Sequence, residues 1–170
     1  QVPGLEPTTA SQSEENPYVV LFGVSLSGEA DLRFTPRSRD QIAAAGYNVS
    51  YNAYGGTGVE DWFQRMDTLA VSDQAADATV IMALGTNDTS HPPLGQETMA
   101  QVEANVINAL NKLSGVRCVV WLTLNATSGY LRGEMWDTAR FNTFLRNIVA
   151  SGQYPNLVLQ NWEGTSYNHP

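Results

Sequence analysis

Three short segments of the chain carry side chains that could act together on an ester carbonyl. They are 23–27 (Gly-Val-Ser-Leu-Ser), 52–56 (Asn-Ala-Tyr-Gly-Gly) and 85–88 (Gly-Thr-Asn-Asp). The Ser25 hydroxyl can attack an acyl carbon, and the Ser25 backbone amide, a glycine amide and the Asn87 side-chain amide can donate hydrogen bonds to the oxyanion that forms. One such donor lowers the barrier by about 2.7–4 kcal/mol. These residue types predict acyl-transfer chemistry with a serine nucleophile.

The elements that must position these segments alternate along the chain. Short apolar runs predict buried strands, and apolar residues at helical spacing predict helices between them. The predicted strands are 18–22, 47–52, 78–84, 116–124 and 157–159, and the predicted helices are 29–45, 59–69, 96–113 and 136–150. The alternation predicts an α/β fold, a three-layer α/β/α sandwich around a flavodoxin-like, five-stranded parallel sheet in the order 2-1-3-4-5. Ligands bind outside the carboxyl ends of such strands, so the three segments are expected to meet there.

Length and composition limit the classes of protein that this chain can be. Its 170 residues are expected to form a single domain over 18–170, preceded by a flexible polar leader over 1–17. A net charge of −8 argues against a nucleic-acid partner, and the lack of an apolar run of about 20 residues argues against a transmembrane segment. One cysteine and two histidines cannot form an internal disulfide, or a zinc site without carboxylate ligands. The leader is of the kind found after a cleaved export signal, so a secreted, periplasmic or cell-envelope location is expected.

Over residues 18–162 the chain resembles the SGNH (GDSL-type) hydrolase superfamily. Segment 23–27 resembles its Gly-Asp-Ser-Leu-Ser nucleophile block, and 85–88 resembles its Gly-x-Asn-Asp block. Gly56, or alternatively Gly55, matches the glycine that supplies an oxyanion-hole amide. The resemblance implies esterase or acyl-transfer chemistry on acylated sugars, lipids or small esters, without a cofactor.

Two features depart from the pattern of that family. Val24 stands where the family usually has an aspartate that braces the turn with hydrogen bonds. The catalytic histidine of the family lies in an Asp-x-x-His segment near the C-terminus, and two alignments are open here. In one, 161–170 matches the stretch that precedes that segment, which then lies beyond Pro170. In the other, 166–169 (Ser-Tyr-Asn-His) is a degenerate form of the segment, and His169 is the catalytic base.

These departures leave three interpretations open. The chain belongs to an enzyme whose base lies beyond its last residue, it is an enzyme that uses His169, or it is a catalytically inactive binding or assembly subunit. A serine hydroxyl without a base is a poor nucleophile, so the base decides between them. The favoured function is a serine esterase-type hydrolase, or an acyl transferase, that acts on ester-linked acyl groups of extracellular or cell-envelope carbohydrate or lipid. In the inactive alternative, the partner is a protein of a cell-envelope assembly.

Each candidate residue also has a structural interpretation. Ser25 could cap the helix that follows it. Asn87 could brace a turn, and Asp88 is expected to tie loops together. The predicted catalytic set is Ser25, Gly56, Asn87 and His169. The candidate substrate contacts, which are aromatic or histidine side chains, are Tyr54, His91 and Tyr130.

Overall fold

The computed structural model of the chain describes residues 17–33, 35–89, 98–125 and 137–162. The strands are β1 (Tyr18–Gly23), β2 (Asn48–Ala53), β3 (Thr79–Ala83), β4 (Cys118–Leu122) and β5 (Leu157–Gln160). The helices are α1 (Ser25–Arg33), α2 (Ser38–Ala44), α3 (Phe63–Ala70), α4 (Met99–Lys112) and α5 (Thr138–Ser151). All strand pairs are parallel, and the sheet order is β2-β1-β3-β4-β5. The predicted sheet order and the three-layer α/β/α arrangement are confirmed.

The hydrophobic core lies between the central strands and the helices that cover them. Strand β1 is buried on both faces from Val19 to Gly23, as its continuous apolar sequence predicts. Helix α4 buries the apolar stripe that its sequence spacing predicts, including Val102, Val106 and Leu110. Parallel strands buried in this way all end at one edge of the sheet, which is where the polar segments lie.

The region between β1 and β2 differs from the prediction of one continuous helix over 29–45. The structure has two helices there, α1 and α2, and α1 begins earlier, at Ser25. The break falls at Pro36, which follows a cis peptide bond with Thr35. A proline has no backbone N–H and restricts the residue before it, so a helix cannot run through this point undisturbed.

The other three helices begin later than predicted, and α5 begins at Thr138 instead of residue 136. The segment from Val59 starts with a 3₁₀ turn, Glu60–Trp62, before α3 begins at Phe63. Helix α4 begins at Met99, where Thr98 and Gln101 form a capping box that supplies bonds to the first backbone N–H groups. Nearly all of the predicted leader lies outside the described residues, as do residues 163–170, so the domain limits stay predictions. No helix among the described residues has the length and apolar character needed to cross a membrane.

A partly buried ion pair joins α1 to α2. The Asp31 side chain is 1% exposed, and its carboxylate accepts hydrogen bonds from the Arg39 Nε (2.6 Å) and the Arg39 backbone N–H (3.1 Å). The Arg39 side-chain bond holds the pKa of Asp31 below its usual value, although burial acts in the opposite direction. A carboxyl whose pKa is lower in the folded state contributes stability above its unfolded pKa of about 3.9, and this stability is lost as the pH falls through the folded pKa.

We therefore expect Arg39→Met to lower the free energy of unfolding at pH 7 by about 1–3 kcal/mol, because a buried carboxylate loses a charged partner. The difference from the parent should shrink below about pH 4, where Asp31 is protonated in the variant. Urea unfolding at both pH values measures this. Arg33→Met is the matched control, since among the described residues Arg33 pairs with Glu29 alone, at the exposed surface and at 3.5 Å. Equal losses in the two variants would contradict the assignment.

Candidate functional site

Ser25 lies directly after the carboxyl end of β1, in the first turn of α1. The Gly28 backbone N–H donates to the Val24 carbonyl at 3.1 Å, so Val24 occupies the N-cap position and Ser25 does not. A Cβ at Gly23 would lie 2.5 Å from the Ser27 Oγ, so this abrupt passage from strand to helix requires glycine. The Ser25 residue is exposed. Ser25 is therefore accessible to solvent and is not part of the hydrophobic core.

The turn between β1 and α1 contains Val24 where the family pattern has an aspartate. Other contacts stabilise it here. Val24 is 3% exposed and belongs to the hydrophobic core. Hydrogen bonds come from β2 and the residue after it: the Tyr51 hydroxyl donates to the Ser27 carbonyl (2.8 Å), and the Tyr54 backbone N–H donates to the Gly23 carbonyl (3.2 Å). The sequence carries no signal for the role of Tyr51, which has the pattern of an ordinary strand residue.

The loop after β2 lies against Ser25. A Cβ at Gly55 would be 3.6 Å from the Ser25 Cβ, an ordinary contact distance, so Gly55 lies next to the serine. Gly56 has a φ of +78°, in the left-handed region that favours glycine. The Thr57 hydroxyl closes the turn by donating to the Tyr54 carbonyl at 2.9 Å. Gly55, the alternative oxyanion-hole glycine of the sequence analysis, therefore lies next to the serine, and Gly56 follows it in the same turn.

The loop after β3 brings Asn87 to the same place. The Asn87 Nδ2 donates to the Thr57 carbonyl at 2.8 Å, which orients the side-chain amide. Gly85, two residues earlier, has a φ of +120°, and a Cβ there would lie 2.6 Å from the Phe141 ring. Glycine is therefore required at Gly85 both by its backbone conformation and by helix α5.

Asp88 joins the same two loops a second time. Its Oδ1 accepts a hydrogen bond from the Val59 backbone N–H at 2.7 Å, and the side chain is 7% exposed. Burial raises the pKa of Asp88, and the bond from Val59 opposes the shift. Asp88 therefore ties the third loop to the second, the structural role that its position in the sequence predicts.

Together, the contacts form a continuous chain across the carboxyl edge of three adjacent strands. The first loop is bonded to the second through Tyr54 and Gly23, and the second is bonded to the third through Asn87 and Asp88. Adjacent parallel strands bring the segments that carry Ser25, the glycine pair and Asn87 to one edge of the sheet. Such a group can present a nucleophile and N–H donors to one carbonyl. Among the described residues, no side chain hydrogen-bonds to the Ser25 hydroxyl, and no three histidine, cysteine, aspartate or glutamate side chains are grouped to hold a metal ion.

Of the candidate substrate contacts, only Tyr54 lies in the described part of the chain. It is 60% exposed, and its ring lies 5.9 Å from that of Trp62, which is itself buried in the core. Tyr54 borders a groove of about 330 Å³ along the edge strand β2. The charged and polar side chains that line the groove are Asp31, Arg39, Tyr51, Asn52 and Arg65. The predicted residues His91, Tyr130 and His169 lie outside the described residues.

No protein-family model matches the chain, and no curated protein matches it in sequence. Solved structures do match it. A member of the lipolytic protein G-D-S-L family from Veillonella parvula has a TM-score of 0.65 at 16% identity, over 89% of this chain and 80% of the other. The lipase/acylhydrolase from Enterococcus faecalis has a TM-score of 0.60 at 19% identity, over 90% and 80%. An acetyl xylan esterase has a TM-score of 0.58 at 16% identity, over 89% and 81%. The chain therefore has the fold of the GDSL-type hydrolases, which confirms the fold that the three motifs implied.

Proposed function

We propose that this chain, which has the fold of the GDSL-type hydrolases, is a serine esterase-type hydrolase or acyl transferase. The observation that carries the proposal is the exposed Ser25 in the first turn of α1, next to Gly55, which lies in a glycine segment that is bonded to the Asn87 loop. The fold neighbours support it, since they include a lipase/acylhydrolase and an acetyl xylan esterase.

In the proposed reaction, the Ser25 Oγ attacks the carbonyl carbon of an ester while a base takes the hydroxyl proton. The carbonyl oxygen becomes an oxyanion, which accepts hydrogen bonds from the Ser25 backbone amide, the Gly56 or Gly55 amide and the Asn87 side-chain amide. The intermediate expels the alcohol, which takes the proton back from the base, and leaves an acyl-serine. Water or a second alcohol then releases the acyl group, giving hydrolysis or transfer. His169 is the candidate base within this sequence.

The proposed substrate is an acylated carbohydrate or lipid of the cell envelope or the extracellular space. Tyr54 presents an exposed ring beside the glycine loop, and an aromatic face packs well against the apolar face of a sugar or an acyl chain. The groove beside Tyr54 offers hydrogen-bonding side chains for the alcohol part of the ester. His91 and Tyr130 are proposed as further contacts, from their positions in the sequence.

A second candidate function is a binding or assembly subunit that keeps the fold and the cleft without turnover. One observation from the sequence favours it: in the segment 166–169, Ser166 stands where the family pattern has its aspartate. General-base help is worth about 10²–10⁴-fold in rate.

A fluorophosphonate probe separates the two functions. We expect the 170-residue chain to be labelled slowly and at Ser25, because the serine is exposed and its nearest described neighbours supply no base. Mass spectrometry of the tryptic peptide that ends at Arg33 locates the label. Rapid labelling that is lost in both Ser25→Ala and His169→Ala would make His169 the base. A label elsewhere would exclude Ser25 as the nucleophile, and no label at all would leave the binding subunit and an enzyme whose base lies beyond Pro170.

A further inference from the structure

The segment Thr57–Val59 is held by two consecutive residues of the third loop. Asn87 donates to the Thr57 carbonyl at 2.8 Å, and Asp88 accepts from the Val59 backbone N–H at 2.7 Å. The two bonds hold the backbone on either side of Gly58. This segment directly follows Gly55 and Gly56, the glycines considered for the proposed oxyanion hole. Any shift of the Asp88 carboxyl therefore moves the segment to which the Asn87 amide is bonded.

Gly58 shows how closely the carboxyl of Asp88 fits. A Cβ at Gly58 would lie 2.6 Å from the Asp88 Oδ1, 3.1 Å from its Cγ and 3.4 Å from its Oδ2. Gly58 does not have a positive φ, so its backbone conformation does not itself require glycine. The lack of a side chain at Gly58 instead makes room for the carboxyl of Asp88.

The second carboxyl oxygen of Asp88, Oδ2, forms no hydrogen bond with a described residue that would stabilise the fold. This oxygen is buried, although the residue as a whole is 7% exposed. A buried polar oxygen without a partner destabilises the folded protein, whereas the Oδ1 satisfies the buried Val59 N–H. The place of this carboxyl is therefore explained by the backbone segment that its Oδ1 holds.

We propose that Asp88 is a positioning residue that sets the geometry of the oxyanion hole by fixing the Gly56–Val59 backbone against the Asn87 side chain. This inference rests on the proposed function. Asp88 does not touch the substrate; it acts through the Val59 amide and through the close fit at Gly58. Oxyanion donors act at about 2.7–3.1 Å, and a displacement of about 1 Å can cost about 10²-fold in rate.

The kinetic test compares two variants of the full chain in a form that turns over esters. Asp88→Ala removes the acceptor of the Val59 amide and should lower kcat about 10- to 100-fold with KM unchanged, because the hole binds the transition state and not the ground state. Asp88→Asn keeps an acceptor oxygen in the same place and should retain most of kcat. Equal losses of kcat in both variants, or a loss expressed in KM, would overturn the proposal.

A second-site test uses the fit at Gly58. Gly58→Ala pushes against the carboxyl and should lower kcat in the parent, but it should have little further effect when combined with Asp88→Ala, since the obstructing carboxyl is then absent. Gly115→Ala is the matched control, because a Cβ at Gly115 meets no atom within 4 Å. Additive losses of kcat from Gly58→Ala and Asp88→Ala would contradict the proposal.

An NMR measurement tests the positioning role of Asp88 even if the chain does not hydrolyse esters. The two signals to follow in ¹⁵N spectra are those of the Gly56 backbone amide and the Asn87 side-chain amide. Their chemical shifts should change in Asp88→Ala and in Gly58→Ala. They should stay near the parent values in Asp88→Asn and in Gly115→Ala. Unchanged signals in Gly58→Ala would overturn the positioning role, and this variant replaces Asp88→Ala if the latter does not fold. An inactive parent with the predicted shifts would remove the proposed function and leave the positioning role supported.

Discussion

Ser25→Ala is expected to lower kcat for ester hydrolysis by at least about 10³-fold, in a form of the protein that turns over esters. The reason is chemical, because alanine removes the only atom that can form the acyl-enzyme, and what remains is the effect of the oxyanion donors and of binding. The variant should fold normally. Ser25 is exposed, its hydroxyl has no hydrogen-bond partner among the described residues, and alanine favours a helix.

The measurement is the steady-state rate on a chromogenic acyl ester, together with the free energy of unfolding from urea titration. Ser114→Ala is the matched control, since Ser114 is also exposed but lies in the turn between α4 and β4, at the amino end of the sheet. We expect the control to keep full activity and both variants to stay within about 0.5 kcal/mol of the parent in stability. Activity that survives in Ser25→Ala would exclude Ser25 as the nucleophile.

Asn87→Ala is expected to lower kcat by about 10²–10³-fold with little change in KM. An oxyanion donor acts when charge develops in the transition state, so its loss affects kcat and kcat/KM together. The same substitution removes the bond to the Thr57 carbonyl, which should cost about 1 kcal/mol of stability.

The control for this prediction is Asn108→Ala, at an exposed position of α4. Steady-state kinetics and circular dichroism are measured on both variants. Collapse of the Asn87→Ala spectrum would show that Asn87 is a brace of the fold, and a rise in KM at unchanged kcat would show a substrate contact instead of an oxyanion donor.

Much of the fold could be predicted from the sequence because its causes are local. Apolar runs with β-branched residues, separated by amphipathic stretches, are sufficient to predict parallel strands with helical connections, and the connection rules for such units limit the strand order. The segments that contain Ser25, Gly56 and Asn87 each follow a strand directly. Their common edge followed from topology alone, without knowledge of any side-chain contact.

The contacts that shape the candidate site could not be predicted, because each joins residues that are distant in sequence. Tyr51 is bonded to the Ser27 carbonyl across 24 positions, and the Asp88 carboxyl lies against Gly58 and Val59 across about 30. The suitability of Val24 could not be predicted from the sequence either. The family pattern has an aspartate at this position, but Val24 is buried in the core, where an apolar side chain is suitable. The sequence by itself determined which elements form and at which edge the polar loops gather, since backbone periodicity and connection rules act locally. Only the tertiary structure decided how the loops are joined to one another, because hydrogen bonds and close contacts between loops depend on positions that the packed sheet and helices create.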